Sequence, residues 1–160
     1  MDQISLFDFP LSFCNDEGLT ILLSLQNEYF QRMITGEKKY EYRFSFPKSK
    51  VRALIYAPRK VKAIVGCVDF GFPIEGTPEE ISKLYFESGD GDYQVMLDYI
   101  GNRKKAYAMK VDNVLKFDNP LSYAEIKKHF TNFCAPQSYI ILNKNRELMQ
   151  FICSKVFVVT

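Results

Sequence analysis

The chain has 160 residues, and 21 Lys plus Arg against 19 Asp plus Glu give a formal charge of +2. A hydrophobic fraction of 47% and a charged fraction of 25% are ordinary for one globular domain, which excludes wholesale disorder. No stretch approaches the roughly 20 apolar residues that cross a bilayer, and the N-terminus lacks the basic start of a signal peptide, so a cytoplasmic protein with no membrane partner is expected.

Residues 1–19 read as an appendage, aromatic and closed by the turn formers Asn15, Asp16 and Gly18, ahead of a domain over 20–160. The run T-I-L-L-S-L at 20–25 is too short and too β-branched for a helix and reads as a buried strand. A helix follows over 27–35 with Tyr29, Phe30, Met33 and Ile34 on one stripe, and Gly36 stands where a left-handed cap is needed. Residues 38–44 alternate charged and aromatic side chains, the period of a strand. Further strands are expected at 51–57 and 61–70, separated at Pro58.

Thr77, Pro78 and Glu80 combine a capping box with a first-turn proline, which starts a helix running to about residue 86. A loop at 88–92 and a helix at 93–100 come next, then one long or bulged strand over 104–117. Ser122 and Glu125 form a second capping box opening a helix to 130. A strand at 139–142, a helix at 145–152 and a last strand at 155–159 complete the chain. Together they make an α+β domain whose sheet curls towards a barrel, with short helices on its flanks.

Several chemistries are excluded by residue supply. Cys14, Cys67, Cys134 and Cys153 contain no C-x-x-C pair and read as small apolar residues in a reducing compartment. His129 is the single histidine, so a multi-histidine metal site cannot be built, and its place late in a basic helix is explained by the helix dipole. The Asp90-Gly91-Asp92 loop lacks the ligand series of a calcium loop, and Gly66 and Gly71 form no phosphate-binding fingerprint. No metal or cofactor is expected.

Charge is distributed unevenly. Residues 37–62 carry nine basic and two acidic side chains, whereas 75–98 carry seven acidic ones and only Lys83. A basic stretch interleaved with Tyr40, Tyr42, Phe44 and Tyr56 suits phosphate attraction with base stacking, although edge lysines that resist aggregation would leave the same pattern. Within it, Lys39, Glu41 and Arg43 share one strand face opposite Tyr40, Tyr42 and Phe44, while Lys38 lies in the preceding turn. Such charges are solvated, paired or gathered along a polar cleft.

The segment Gly36-Glu37-Lys38-Lys39-Tyr40-Glu41-Tyr42-Arg43 has the form G-x-K-x-x-E-x-R. With V-R-A-L-I-Y-A, K-A-I-V-G, the K-K-A-Y-A-M-K-V strand and the A-P-Q-S-Y turn, it resembles the ASCH domains of the PUA-like superfamily, in their compact bacterial branch, over about 20–142. The resemblance implies a small β-barrel flanked by helices and association with RNA, translation or transcription coactivation. It implies ligand binding at Lys38, Glu41 and Arg43, with Ser138 at the far wall of the cleft and Gln137 and Tyr139 beside it. Lys39 and Tyr56 join the candidates, Tyr56 as a base-stacking ring. Some relatives hydrolyse acetylated cytidine with the motif lysine and a threonine where this chain has Glu41, which removes that nucleophile here. Others are ribonucleases using the lysine and a late serine, so catalytic roles for Lys38 and Ser138 follow only if the protein is an enzyme.

Gln3-Ile4-Ser5-Leu6-Phe7 is similar to the peptide with which many bacterial proteins bind the replication sliding clamp, Leu6 and Phe7 filling an apolar pocket and Gln3 hydrogen bonding nearby. Alternatively the segment docks on its own domain through Phe9, Leu11 and Phe13. The leading expectation is a module holding a nucleotide or single-stranded RNA in a charged cleft. The alternatives are a metal-independent hydrolase of RNA or an acetylated nucleoside, and a replication accessory protein bound to the clamp.

Overall fold

The computed structural model describes residues 18–157, so the N-terminal peptide with Gln3, Leu6 and Phe7 lies outside the described residues. The elements run β1 (Leu19–Ser24), α1 (Asn27–Ile34), β2 (Tyr40–Arg43), β3 (Val51–Ala57), β4 (Ala63–Phe70), β5 (Ile74–Gly76), α2 (Pro78–Glu87), α3 (Tyr93–Ile100), β6 (Ala106–Ser122), α4 (Tyr123–His129), β7 (Tyr139–Ile141), a 3-10 turn (Leu142–Lys144) and α5 (Arg146–Val156). No helix among the described residues is long and apolar enough to cross a membrane.

The sheet order is β2-β6-β4-β3-β1-β7, with β5 also on β6. β1 pairs parallel with β3, and α1 and β2 lie within the crossover between them. The 17-residue β6 turns the corner: its first part pairs with β2 and β5, and its later part with β4. Register shifts at Ile64/Gly66 and Asp69/Phe70 supply extra residues on β6, the device by which a sheet bends and twists. The expected curled α+β architecture is observed.

Apolar residues cover both faces of the sheet, which is why β1 reads as an unbroken hydrophobic run rather than an alternation. Leu22 packs with Leu54, Ile64, Leu115 and the inner residues of α4 and α5, whereas Ile21 and Leu23 pack with Ile55, Val68 and the inner residues of α1. A third cluster joins Tyr42, Ile81, Met96, Ile100 and Ala108, seating α2 and α3 over the β2 end of the sheet. On α1 only Phe30 and Met33 are buried; Phe30 fills the space that Gly66 leaves by having no side chain.

Both ends of β1 are held. Asn143 accepts from the Thr20 amide at 2.8 Å and donates to the Gly18 carbonyl at 2.9 Å. At the other end the Ser24 amide donates to the Ser138 carbonyl at 2.9 Å. The Thr77 capping box forms with both arms, and Gly36 adopts φ 82° at the end of α1 as its position requires.

Two elements depart from expectation. β5 gave no sequence signal, because two of its three residues are exposed and it only edges β6. Residues 155 and 156, expected in a final strand, belong to α5: Leu148, Met149, Ile152, Cys153 and Val156 recur at helical spacing on its buried face. Residues 158–160 are outside the description.

Candidate functional site

Gly36 ends α1 and the chain turns back, the Lys38 amide donating to the Arg32 carbonyl at 2.9 Å before β2 begins. This turn directs Lys38 inward, and the side chain is only 7% exposed. Its ammonium lies 5.4 Å from the ring centre of Tyr29 and 5.2 Å from that of Tyr42, a cation–π setting on two sides. Its polar partner is Glu41, with Nζ 3.5 Å from Oε1.

Glu41, 6% exposed, uses its second oxygen on Arg43, accepting from Nη2 at 2.7 Å and from Nε at 3.0 Å. Arg43 Nη2 also donates to the Ser24 carbonyl at 3.0 Å, tying the motif to the end of β1. One carboxylate thus serves two cations, and the cluster keeps a net positive charge. The spacing explains the arrangement: Glu41 and Arg43 are two apart on one strand face, and Lys38 reaches the same carboxylate from the turn.

The cluster lies in a cleft of about 490 Å³, within the roughly 300–1,000 Å³ usual for small-molecule sites. Arg32, Lys38, Arg43 and Arg59 line it against the carboxylates Glu41 and Asp90, so an anionic ligand is favoured. Tyr29, Tyr42, Tyr85 and Tyr99 supply aromatic surface, and Ser24, Gln26 and Gln137 supply polar groups. The basic and acidic stretches of the sequence therefore meet across one hollow.

The acidic wall is built around Asp90. Tyr42 Oη donates to Asp90 Oδ2 at 2.7 Å and Ser88 Oγ donates to the same oxygen at 2.9 Å, while Oδ1 is buried without a partner among the described residues. Burial, more than the carboxylate beside it, pushes the Tyr42 phenol far above its ordinary pKa, so it remains a donor. At Gly91 a side chain would meet the Tyr85 ring, whose Oη is 2.5 Å from the added carbon, so the ring sits directly against the loop backbone.

Of the residues expected at the site, the structure brings Lys38, Glu41, Arg43 and Gln137 together. Lys39 is exposed, and its carbonyl joins the sheet by accepting from Val111. Tyr56 is 3% exposed and packs in the core, 6.5 Å from the Tyr123 ring, so it offers no stacking surface. Ser138 is exposed at the turn beside the cleft but does not line it, and the Tyr139 ring packs near Phe46 at 5.8 Å.

Tyr29, Arg59, Tyr85, Asp90 and Tyr99 line the cleft without a sequence pattern that marks them as site residues. Tyr29 shares the apolar stripe of α1 in sequence but is 38% exposed, and the Asp90-Gly91-Asp92 run reads by itself only as a failed calcium loop. The placement of Asp90 between two glycines is the signal of a tightly shaped loop, and Gly89 does take φ 81°.

A curled mixed sheet with a bent central strand and a charged cleft beside a short βαβ crossover defines a PUA-like domain. The ASCH domain family model matches residues 23–120. That match spans more than half of the chain, which belongs to the ASCH domain family. A curated relative from Zymomonas mobilis, called an ASCH domain-containing ribonuclease, is 26% identical over 125 residues, covering 77% of this chain and 84% of its own. The crystal structure of ASCH from Zymomonas mobilis is 25% identical, with a TM-score of 0.68 over 82% of this chain and 93% of that one. An NMR structure from Rhodopseudomonas palustris, 12% identical with a TM-score of 0.51, shares the fold alone over 89% of this chain and 95% of its own.

Proposed function

We propose that this protein acts on RNA by binding, seating one nucleotide of a single strand in the Lys38–Glu41–Arg43 cleft. The observation that carries the reading is the burial of the Lys38 ammonium between two tyrosine rings, 3.5 Å from a carboxylate it shares with Arg43, in a cleft whose cations outnumber its anions. Lys38 and Arg43 suit a phosphate, the ammonium as a point charge and the guanidinium as a fork. Glu41 holds both cations in place. The ribonuclease name of the Zymomonas mobilis relative supports RNA as the partner.

Fluorescence anisotropy with labelled single-stranded RNA tests this reading. Binding is expected to weaken steeply with salt and to fall on Lys38→Ala or Arg43→Ala, while circular dichroism shows the fold intact. Absence of RNA binding by the wild type, or binding indifferent to salt and to both substitutions, overturns it.

A second reading, hydrolysis of RNA or of an acetylated nucleoside, is favoured by the ribonuclease name of the Zymomonas mobilis relative, with Asp90 a carboxylate in the lining of the same cleft. In it Asp90 takes a proton from the attacking water or hydroxyl, the new bond to phosphorus or acetyl carbon displaces the ester oxygen or amide nitrogen, which takes a proton from water, and Lys38 stabilises the negative charge that develops. It predicts turnover without added metal that disappears in Lys38→Ala and Asp90→Asn; a dependence on Ser138 would restore the late serine to a catalytic role.

A further inference from the structure

The mouth of the cleft carries features that one seated nucleotide does not use. On α3, Met96 and Ile100 are buried, yet Val95 and Tyr99, four apart and therefore on one helix face, are 57% and 59% exposed and both line the cleft. The Tyr99 ring is not loose: it packs on Phe44 with centroids 4.9 Å apart and planes tilted by 34°. Phe44 also receives the Arg103 guanidinium at 3.8 Å from its ring centre. The result is a supported aromatic shelf with open surface at the rim.

The turn between β3 and β4 reaches the same cleft through Pro58 and Arg59. Arg59 holds φ 66° and Lys62 holds φ 49°, left-handed conformations that favour glycine. Backbone held this way in a cationic turn is a recurrent mark of a functional segment. Arg59 is exposed, makes no hydrogen bond or ion pair with the described residues, and stands beside exposed Lys60 and Lys62. An exposed guanidinium and an open aromatic shelf lining one cleft match the two repeating parts of a nucleic-acid strand, phosphate and base.

We infer that Tyr99 and Val95 on α3, with Arg59 in the β3–β4 turn, hold the nucleotide adjoining the one seated in the cleft, so that the ligand is a single-stranded oligonucleotide and not a free nucleoside. This rests on the RNA reading above and specifies the substrate class for that site. The base of the neighbouring nucleotide stacks on Tyr99, and its phosphate pairs with Arg59.

The test measures anisotropy of a labelled mixed-sequence single-stranded RNA of roughly ten nucleotides, within the span of one small-barrel reader, with competition by the four ribonucleoside monophosphates. Wild type, Tyr99→Ala, Arg59→Gly and Lys38→Ala are compared. Tyr99→Ala is expected to weaken RNA binding roughly tenfold, the scale of one base–aromatic stack, and to change monophosphate competition less than about twofold. Arg59→Gly is expected to keep or raise the thermal midpoint, because glycine suits the turn, while lowering the salt slope by roughly one unit. A wild type that binds RNA no more tightly than the monophosphates overturns the inference, as does an RNA duplex bound as tightly as the single strand. RNA affinity and salt slope unchanged in both rim variants also overturn it; if Lys38→Ala then still abolishes binding, the RNA reading stands without the rim. If Lys38→Ala binds as the wild type does, the seating of a nucleotide at Lys38 falls instead.

Discussion

Tyr42 Oη donates to Asp90 Oδ2 at 2.7 Å, joining the centre of β2 to the loop between α2 and α3. This contact fixes one wall of the cleft to the strand that carries Glu41 and Arg43. It also leaves one Asp90 oxygen committed and the other, buried, without a partner among the described residues.

Removing that phenol has a pH signature. In the folded protein the Tyr42 pKa is raised, chiefly by burial and further by the Asp90 carboxylate, so its contribution to stability is fully present below the ordinary phenol value and is lost as pH rises beyond it. Thermal midpoints of the wild type are therefore expected to fall more steeply above about pH 10 than those of Tyr42→Phe. Near neutral pH the variant should be less stable by roughly 1–3 kcal/mol, because the buried Asp90 carboxylate loses a donor. Parallel curves for the two proteins would contradict this account.

Glu41→Gln removes the one carboxylate shared by Lys38 and Arg43 while keeping its shape. Two cations, one of them 8% exposed at its side chain, then face each other without compensation. Urea unfolding should show a loss of roughly 3 kcal/mol, the usual cost of breaking a buried pair from one side. Stability equal to that of the wild type would mean the carboxylate does not hold the cluster together.

Gly66→Ala tests how α1 is seated. The new methyl group would overlap the Phe30 ring tip and lie 2.5 Å from the Leu115 carbonyl oxygen, a backbone atom that cannot step aside. A loss of at least about 1–3 kcal/mol is expected in thermal or urea unfolding. Because Tyr29 and Arg32 ride on the same helix, ligand affinity should fall even where the variant remains folded.

Thr77→Ala deletes the side-chain acceptor for the Glu80 amide at the start of α2. The expected cost is about 1 kcal/mol, with faster amide hydrogen exchange in the first turn of α2. Exchange unchanged there would show that packing of Ile81 alone holds the helix end.

The sequence made the local features legible and the convergent ones less so. The ends of β3 and α3 and the cap of α2 were readable because period, proline and capping chemistry act over a few residues. Lys38, Glu41 and Arg43 were readable as a group because one turn and one strand hold all three. Asp90 was not, since it meets Tyr42 across 48 positions of chain through tertiary packing. Tyr56 misled for a related reason: an aromatic ring among basic residues has the same local pattern whether it faces a cleft or, as here, the core. Residues 155 and 156 of the final strand expected at 155–159 belong to α5, because a short apolar run has no period of its own to set against a helix already under way.

β1 contributes Ser24 to the cleft and is pinned at its far end by Asn143, which grips Gly18 and Thr20. Five residue steps of extended chain separate those ends by roughly 16 Å. Gly18, the first described residue, accordingly lies at the pole remote from the opening.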